Sequence, residues 1–492
     1  MPWRPCRERP FSPATYGCNR PPDWALCPAS SPARPRHSAR PPCDTLWPSM
    51  ARLMRISAAL LVLVAASGCG VGPPKISEEP RAAPSRHVLP NGVRVVVEPH
   101  RASDVVALQL WVQAGGRDEA PAELGLAHYL EHMVFKGTAT RPTGFIDREV
   151  EGVGGRMNAG TSLDYTYYHV LLPAHRALAG IETLADVSVN ATLDETLLER
   201  EKKVVLEELR LGEDSPGRFV ARKLYEALFG GHPYGRPVIG REDLIRDLTR
   251  AQLLAFYRRH YNPEAFTLVV VGPVSPREVL DAAARAFGRL PRAGLSRLPV
   301  AYVTAAEPRR LERERPGPHA YLGLAWLAPR IDHADTPAVD LLASILGGSR
   351  SARLVRVLRD RLGLANSITT SYSALEGAGL LTVTAQLEAG NLDRVQAEIA
   401  AEVRRVRRDG VTEAELRRAI TIAEARREFQ METAEGRAFR LGHAASIWRI
   451  EAELAYVDRL RLVTLEQVHA AAQRYLDADR AARVVLGPGA RR

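Results

Sequence analysis

Beyond residue 86 the chain alternates between two hydrophobic periods. An Asn91-Gly92 turn signal precedes the β-branched run Val93-Arg-Val-Val-Val97, and residues 105–112 supply a second strand. A hairpin is expected to lead into the first helix. Apolar residues then recur every three to four positions over 124–136, 174–189, 194–211 and 250–261, which predicts helices, and a strand over 266–271 closes the set. This order is α+β. A Pro- and Arg-rich stretch, 291–318, breaks the pattern and is read as a linker, after which the order of elements starts again.

The restart reads as an internal repeat. Thr249-x-x-Gln252, Tyr261 and Val270-Val-Gly-Pro273 recur as Thr464-x-x-Gln467, Tyr475 and Val485-Leu-Gly-Pro488, at an offset of 215 with a one-residue slip at the tyrosines. Two homologous α+β domains in tandem are expected, 87–290 and 319–492.

The N-terminus does not belong to this pattern. Residues 1–49 hold twelve of the 35 prolines and four of the five cysteines without apolar periodicity, and are read as a non-native upstream extension or a disordered arm. From Met50, Arg52 and Arg55 precede an apolar run over 56–66 and then Ser67-Gly68-Cys69. A run of eleven residues is too short to span a bilayer, so 50–68 reads as a secretory signal. Small residues before Cys69 resemble the lipobox of bacterial lipoproteins, so Cys69 would carry lipid and 69–86, rich in Pro and charge, would be a tether. A plain signal peptide with an incidental Cys69 is the alternative. Either reading exports the protein, with the bacterial periplasm as the expected compartment.

Removing 1–68 leaves 58 basic and 54 acidic residues, a formal charge of +4, so no basic tract argues for nucleic acid. No cysteine follows Cys69, which excludes a disulfide framework and a thiolate metal site. Any metal must be held by His and carboxylates.

His128 and His132 stand four apart in the helical pattern, so both imidazoles leave one face about one turn apart, a spacing that suits two ligands on one tetrahedral zinc. Glu131 can reach the open coordination site. Zinc lowers the pKa of a bound water to about 7, and a nearby carboxylate can take its proton as general base. A His-x-x-Glu-His string arises by chance in about 3 of 100 chains of this size, so a third ligand decides the matter. Glu201 and Glu208 lie seven apart in an acidic helical stretch and face one way, with Val204 and Val205 between them beside the helix seam. Glu208 would bind metal and Glu201 would support the site from behind.

Together these strings resemble the inverted zincins of the pitrilysin/insulinase family, which includes enzymes similar to mitochondrial processing peptidase. Asn91-Gly92, Gly115-Gly-Arg-Asp-Glu119, Gly125-x-Ala-His-x-x-Glu-His-Met-x-Phe-Lys-Gly-Thr138, Gly154-Gly-x-x-Asn-Ala159 and Glu201-x-x-Val-Val-x-x-Glu208 agree with it in order and spacing. The resemblance implies an α/β sandwich for each repeat and a clamshell chamber between halves, completed by a partner chain. It also implies strand addition of peptide substrates beside Asn158 and Ala159. The second copy lacks the metal, since Ala343, Leu346 and Gly347 stand at the offset positions of His128, Glu131 and His132. In the family this half carries an Arg and a Tyr that contact substrate; here Arg359 matches the arginine, and Asn366 stands where tyrosine is expected. The implied protein is an exported zinc endopeptidase with one zinc per chain, working as a homodimer or as a heterodimer with a metal-less relative. A noncatalytic assembly subunit is the alternative.

Overall fold

The computed structural model describes residues 83–295, 297 and 299–488. The expected extension 1–49, the signal 50–68 and Cys69 lie outside the described residues. The first half builds a six-stranded sheet from β1 (Ser85–Val88), β2 (Arg94–Pro99), β3 (Val105–Val112), β4 (Arg156–Thr161), β5 (Thr166–Pro173) and β6 (Phe266–Gly272), in the order β1-β2-β6-β3-β5-β4. Its helices of nine or more residues are α1 (Leu126–Val134), α2 (Ala177–Val189), α3 (Glu195–Asp214), α4 (Pro216–Phe229), α5 (Arg250–His260) and α6 (Pro276–Phe287). The second half has β7 (Arg310–Glu314), β8 (His319–Ala328), β9 (Ser367–Ala374), β10 (Gly379–Glu388) and β11 (Ala482–Gly487), in the order β7-β11-β8-β10-β9. Its long helices are α7 (Thr336–Gly347), α8 (Leu392–Asp409), α9 (Glu413–Met431), α10 (Ala434–Ile447) and α11 (Leu465–Tyr475). No helix among the described residues is long and apolar enough to cross a membrane.

Five strands of each sheet repeat one topology. β2 runs parallel to β6 as β7 does to β11, and the other pairings in both sets are antiparallel. The helices that precede β6 and β11 begin identically. Thr249 and Thr464 each accept a bond from the backbone of the Gln three residues on, whose side chain returns to the Thr backbone N–H.

Three expectations need correction. The Asn91-Gly92 turn joins β1 to β2, but β3 does not pair with β2, because β6 lies between them. The linker 291–318 contains β7, which pairs with β11, and the tether 69–86 runs into β1. Both strands escaped the reading because they carry mostly exposed, polar residues at a sheet edge and show no hydrophobic period.

Each sheet is covered on both faces, and each half supplies a helix to the other. On β3, Leu108, Leu110 and Val112 face a core that includes α1 and α2, while Ala107 and Trp111 face the opposite side. Helix α10, from the second half, packs on that opposite side through Ala434, Ala438, Leu441 and Ala444. Reciprocally, α4 places Phe219, Val220, Leu224 and Leu228 against Ala325, Leu380 and Val484 of the second sheet. Burial on both faces explains why β3 and β6 read as near-continuous apolar runs, broken only by Gln109 and Thr267.

Glycines make both exchanges possible. A Cβ at Gly442 on α10 would stand 1.9 Å from Trp111 Nε1, and one at Gly323 on β8 would stand 2.6 Å from Val220 Cγ1. Backbones approach there because a side chain is missing. Gly442→Val should lower unfolding stability by about 1–3 kcal/mol, seen as a lower urea midpoint, since overpacking a closed contact forces backbone movement. Gly212→Ala on α3, where a Cβ meets nothing within 4 Å, should be neutral or stabilising. Equal effects at both positions would refute this packing account.

Candidate metal centre

Helix α1 starts at Gly125, whose φ of +102° is in the left-handed region. The buried Glu119 carboxylate accepts from the backbone N–H of Gly125 at 3.0 Å and of Ala127 at 2.8 Å, filling donors that a helix start leaves unpaired. Leu126, Leu130, Met133 and Val134 bury one face of α1 in the core and leave His128, Glu131 and His132 half-buried on the other. Helix α3 begins at Asp194, which accepts from Leu197 N–H at 3.0 Å, and it buries Leu198, Val205 and Leu209. Tyr129 ties the two helices together, its hydroxyl donating to the Leu198 carbonyl at 2.5 Å.

This packing brings His128, His132 and Glu208 together, with one ligand atom from each lying within 4.8 Å of the others. Glu208 Oε2 is 3.6 Å from His128 Nε2 and 3.5 Å from His132 Nε2. Zinc–ligand bonds of about 2.0–2.1 Å in a tetrahedron put ligand atoms about 3.4 Å apart, so the two measured edges match that geometry. The donor set of two imidazoles and a carboxylate, with no thiolate, is that of a catalytic zinc site.

Glu201 stands behind the cluster, 10% exposed against 41% for Glu208, with Oε1 2.9 Å from His132 Nδ1 and Oε2 2.8 Å from Lys136 Nζ. Holding Nδ1–H leaves His132 Nε2 free to face Glu208. Val205 lies in the core as expected, but Val204 is exposed and lies off the helix seam.

The ionisable groups of the cluster are shifted in opposite directions. Burial works to lower the His132 pKa, yet the hydrogen bonds that the ring donates to Glu201 and Glu208 overcome it and hold it at about 9. Burial, with His132 beside it, pushes His128 down to about 4. The His132 contact, with burial opposing, holds Glu208 below the usual carboxylate range. In Glu201, burial raises the pKa, but the bonds to His132 and Lys136 win and the carboxyl is held low. Glu131 goes the other way, raised by burial and only partly offset by a hydrogen bond from Thr161 Oγ1 at 2.5 Å. Thr161 was not singled out in the sequence; its position three residues after Asn158 was the available signal.

Asn158 and Ala159 lie on β4, the edge strand of the first sheet, in register with His169 and Tyr168. The Asn158 side chain is exposed and its Oδ1 accepts from Ala159 N–H at 2.9 Å, while Ala159 packs against the core. Arg359 and Asn366 belong to the second half. Arg359, in the π-helical segment Val355–Arg361, pairs with Asp360 at 2.8 Å, and the Asn366 backbone N–H donates to Gln386 just before β9. Neither is bonded to the His/Glu cluster. On α7, Ala343, Leu346 and Gly347 are buried, and a Cβ at Gly347 would stand 2.3 Å from Thr370 Oγ1, so α7 carries no counterpart of the cluster.

Residues 94–242 match the family described as Insulinase (Peptidase family M16), and residues 247–423 match the Peptidase M16 inactive domain. An uncharacterized zinc protease of Mycobacterium leprae is 34% identical over 413 residues, 82% of this chain and 91% of that protein. Another from Bacillus subtilis is 29% identical over 410 residues, 82% of this chain and 98% of that one. A solved protease of Helicobacter pylori shares the fold with a TM-score of 0.77 at 24% identity, covering 82% of this chain and 99% of that one. With both halves matched and a relative 34% identical across most of its length, the chain belongs to peptidase family M16, the insulinase family.

Proposed function

We propose that this chain is a zinc-dependent endopeptidase that cleaves peptides or unfolded segments, with His128, His132 and Glu208 as zinc ligands and Glu131 as general base. The convergence of the three ligand atoms carries the reading. Zinc bound there supplies the Lewis acid and acidified water that amide hydrolysis at neutral pH requires. Glu131 lies beside the ligands on the same helix, and burial raises its proton affinity above that of an ordinary carboxylate, the direction needed in a group that accepts a proton and then returns it. Glu201 fixes the His132 ring. The open edge of β4, with Asn158 and Ala159, offers backbone groups to an extended peptide, and Arg359 and Asn366 are assigned to contacts from the second half.

The proposal extends to place and partner. The signal 50–68 exports the chain, Cys69 anchors it by lipid to a membrane facing the periplasm, and a second subunit closes the chamber, either a copy of this chain or a metal-less relative. Asn366 is shorter than the tyrosine it replaces, which favours a partner that supplies the missing contact. The same departure supports a second reading, a noncatalytic subunit.

Glu131→Gln should lower turnover of a quenched peptide about 10²- to 10⁴-fold with zinc retained, the weight of a general base. Unchanged turnover would remove this mechanism, and full activity of the unmodified chain alone would remove the need for a metal-less partner. For the anchor, Cys69→Ser should abolish fatty-acid incorporation and release the protein from membranes; a variant still membrane-bound and labelled would refute lipidation at Cys69.

A further inference from the structure

The hairpin of β4 and β5 approaches the general base from outside its own helix. Thr161, at the end of β4, donates to Glu131 Oε2 at 2.5 Å, and among the described residues no other donor is bonded to that carboxylate. One oxygen is thus held while the other stays free to take a proton. The five residues 115–119 grip both sides of this contact. Glu119 caps α1, which carries Glu131. Gly116 N–H donates to Ser162 O and Arg117 N–H to Leu163 O, each at 3.0 Å, which fixes the turn just after Thr161. A Cβ at residue 115 would stand 2.5 Å from Ser162 O, so the grip requires a glycine there.

The second half holds the same turn. Asp164, fully buried, accepts from the Tyr234 hydroxyl at 2.8 Å and from the Glu376 backbone N–H at 3.1 Å, and faces Arg117 at 3.3 Å. Gly377 N–H donates to the Tyr234 hydroxyl at 2.9 Å. Glu376 and Gly377 form the connection between β9 and β10, so the metal-less half reaches the turn through backbone groups. Arg297, between the halves, donates to the Asp164 carbonyl at 2.6 Å.

We propose that Thr161 is the positioning residue of Glu131, and that the second half sets its position through Tyr234 and Asp164. This rests on the assignment of Glu131 as base. It gives the metal-less half a part in turnover that is separate from substrate contact. The hydrogen bond fixes the plane of the carboxylate, and a small misplacement of a reacting group is costly in rate.

Thr161→Val keeps shape and removes the donor, and Thr161→Ser restores it. The valine variant should lose about 10- to 100-fold in kcat with KM within about threefold, and bind a peptide hydroxamate about tenfold more weakly. Its zinc content and thermal midpoint should match the parent, and the serine variant should recover most of kcat. Tyr234→Phe should lower kcat about threefold or more alone, and add little in the valine background, because both act along one path. A valine variant with parental kcat, a serine variant as impaired as valine, or loss of zinc would each overturn the role of Thr161. Fully multiplicative losses would overturn the link to Tyr234. Glu131→Gln, assayed alongside, separates the two levels: an inactive Gln variant beside a normal valine variant removes only the positioning role, whereas an active Gln variant removes the base itself.

Discussion

The hydrogen bond between His132 Nδ1 and Glu201 Oε1, 2.9 Å long, joins two helices whose residues are 69 apart in sequence and holds a half-buried imidazole in one orientation. Without it the Nε2 atom would be free to rotate away from Glu208, and the 3.5 Å edge between His132 and Glu208 would have no reason to persist. The bond depends in turn on how α1 lies against α3. Tyr129 and the Leu198 carbonyl, together with Leu198 and Val205 in the core, set that packing. Lys136 on the other oxygen of Glu201 keeps that carboxylate charged, and a charged acceptor makes the stronger hydrogen bond.

The duplication has left two copies of one topology with different duties. In α1 the outward face carries His128, Glu131 and His132. In α7 the equivalent positions hold Ala343, Leu346 and Gly347 and close down on β9, where Gly347 lets Thr370 approach. The half without the His/Glu cluster still packs its helix on the other half's sheet. Each sheet needs the exchanged helix to bury its second face, so neither half has a complete core without the other. The ion-pair group of Arg117, Asp164, Arg297 and Glu376 adds a polar joint where both halves and the segment between them meet.

Much of this was legible in the sequence because it follows from period and spacing. The four-residue separation of His128 and His132 and the seven-residue separation of Glu201 and Glu208 are local rules read within a few turns of helix, and the Thr-x-x-Gln string at Thr249 recurs at Thr464 to mark the repeat. What escaped was non-local. That β6 inserts between β2 and β3 is decided by which strand buries both faces, and the polar edge strands β1 and β7 carry no hydrophobic signature. Thr161 could not be connected to Glu131 because the contact spans 30 residues and depends on the β4–β5 turn being gripped by 115–117. The exchange of α4 and α10 left only indirect traces, small residues such as Gly323 and Gly442 whose partners lie in the opposite half.

His128, His132 and Glu208 are proposed to form one zinc site. Metal analysis of the full chain, purified without chelator, tests it most directly. About one zinc per chain is expected, lost when Glu208 is changed to alanine. Less than about 0.2 zinc per chain in the unaltered protein would contradict it, because a working site of this kind holds its metal through purification.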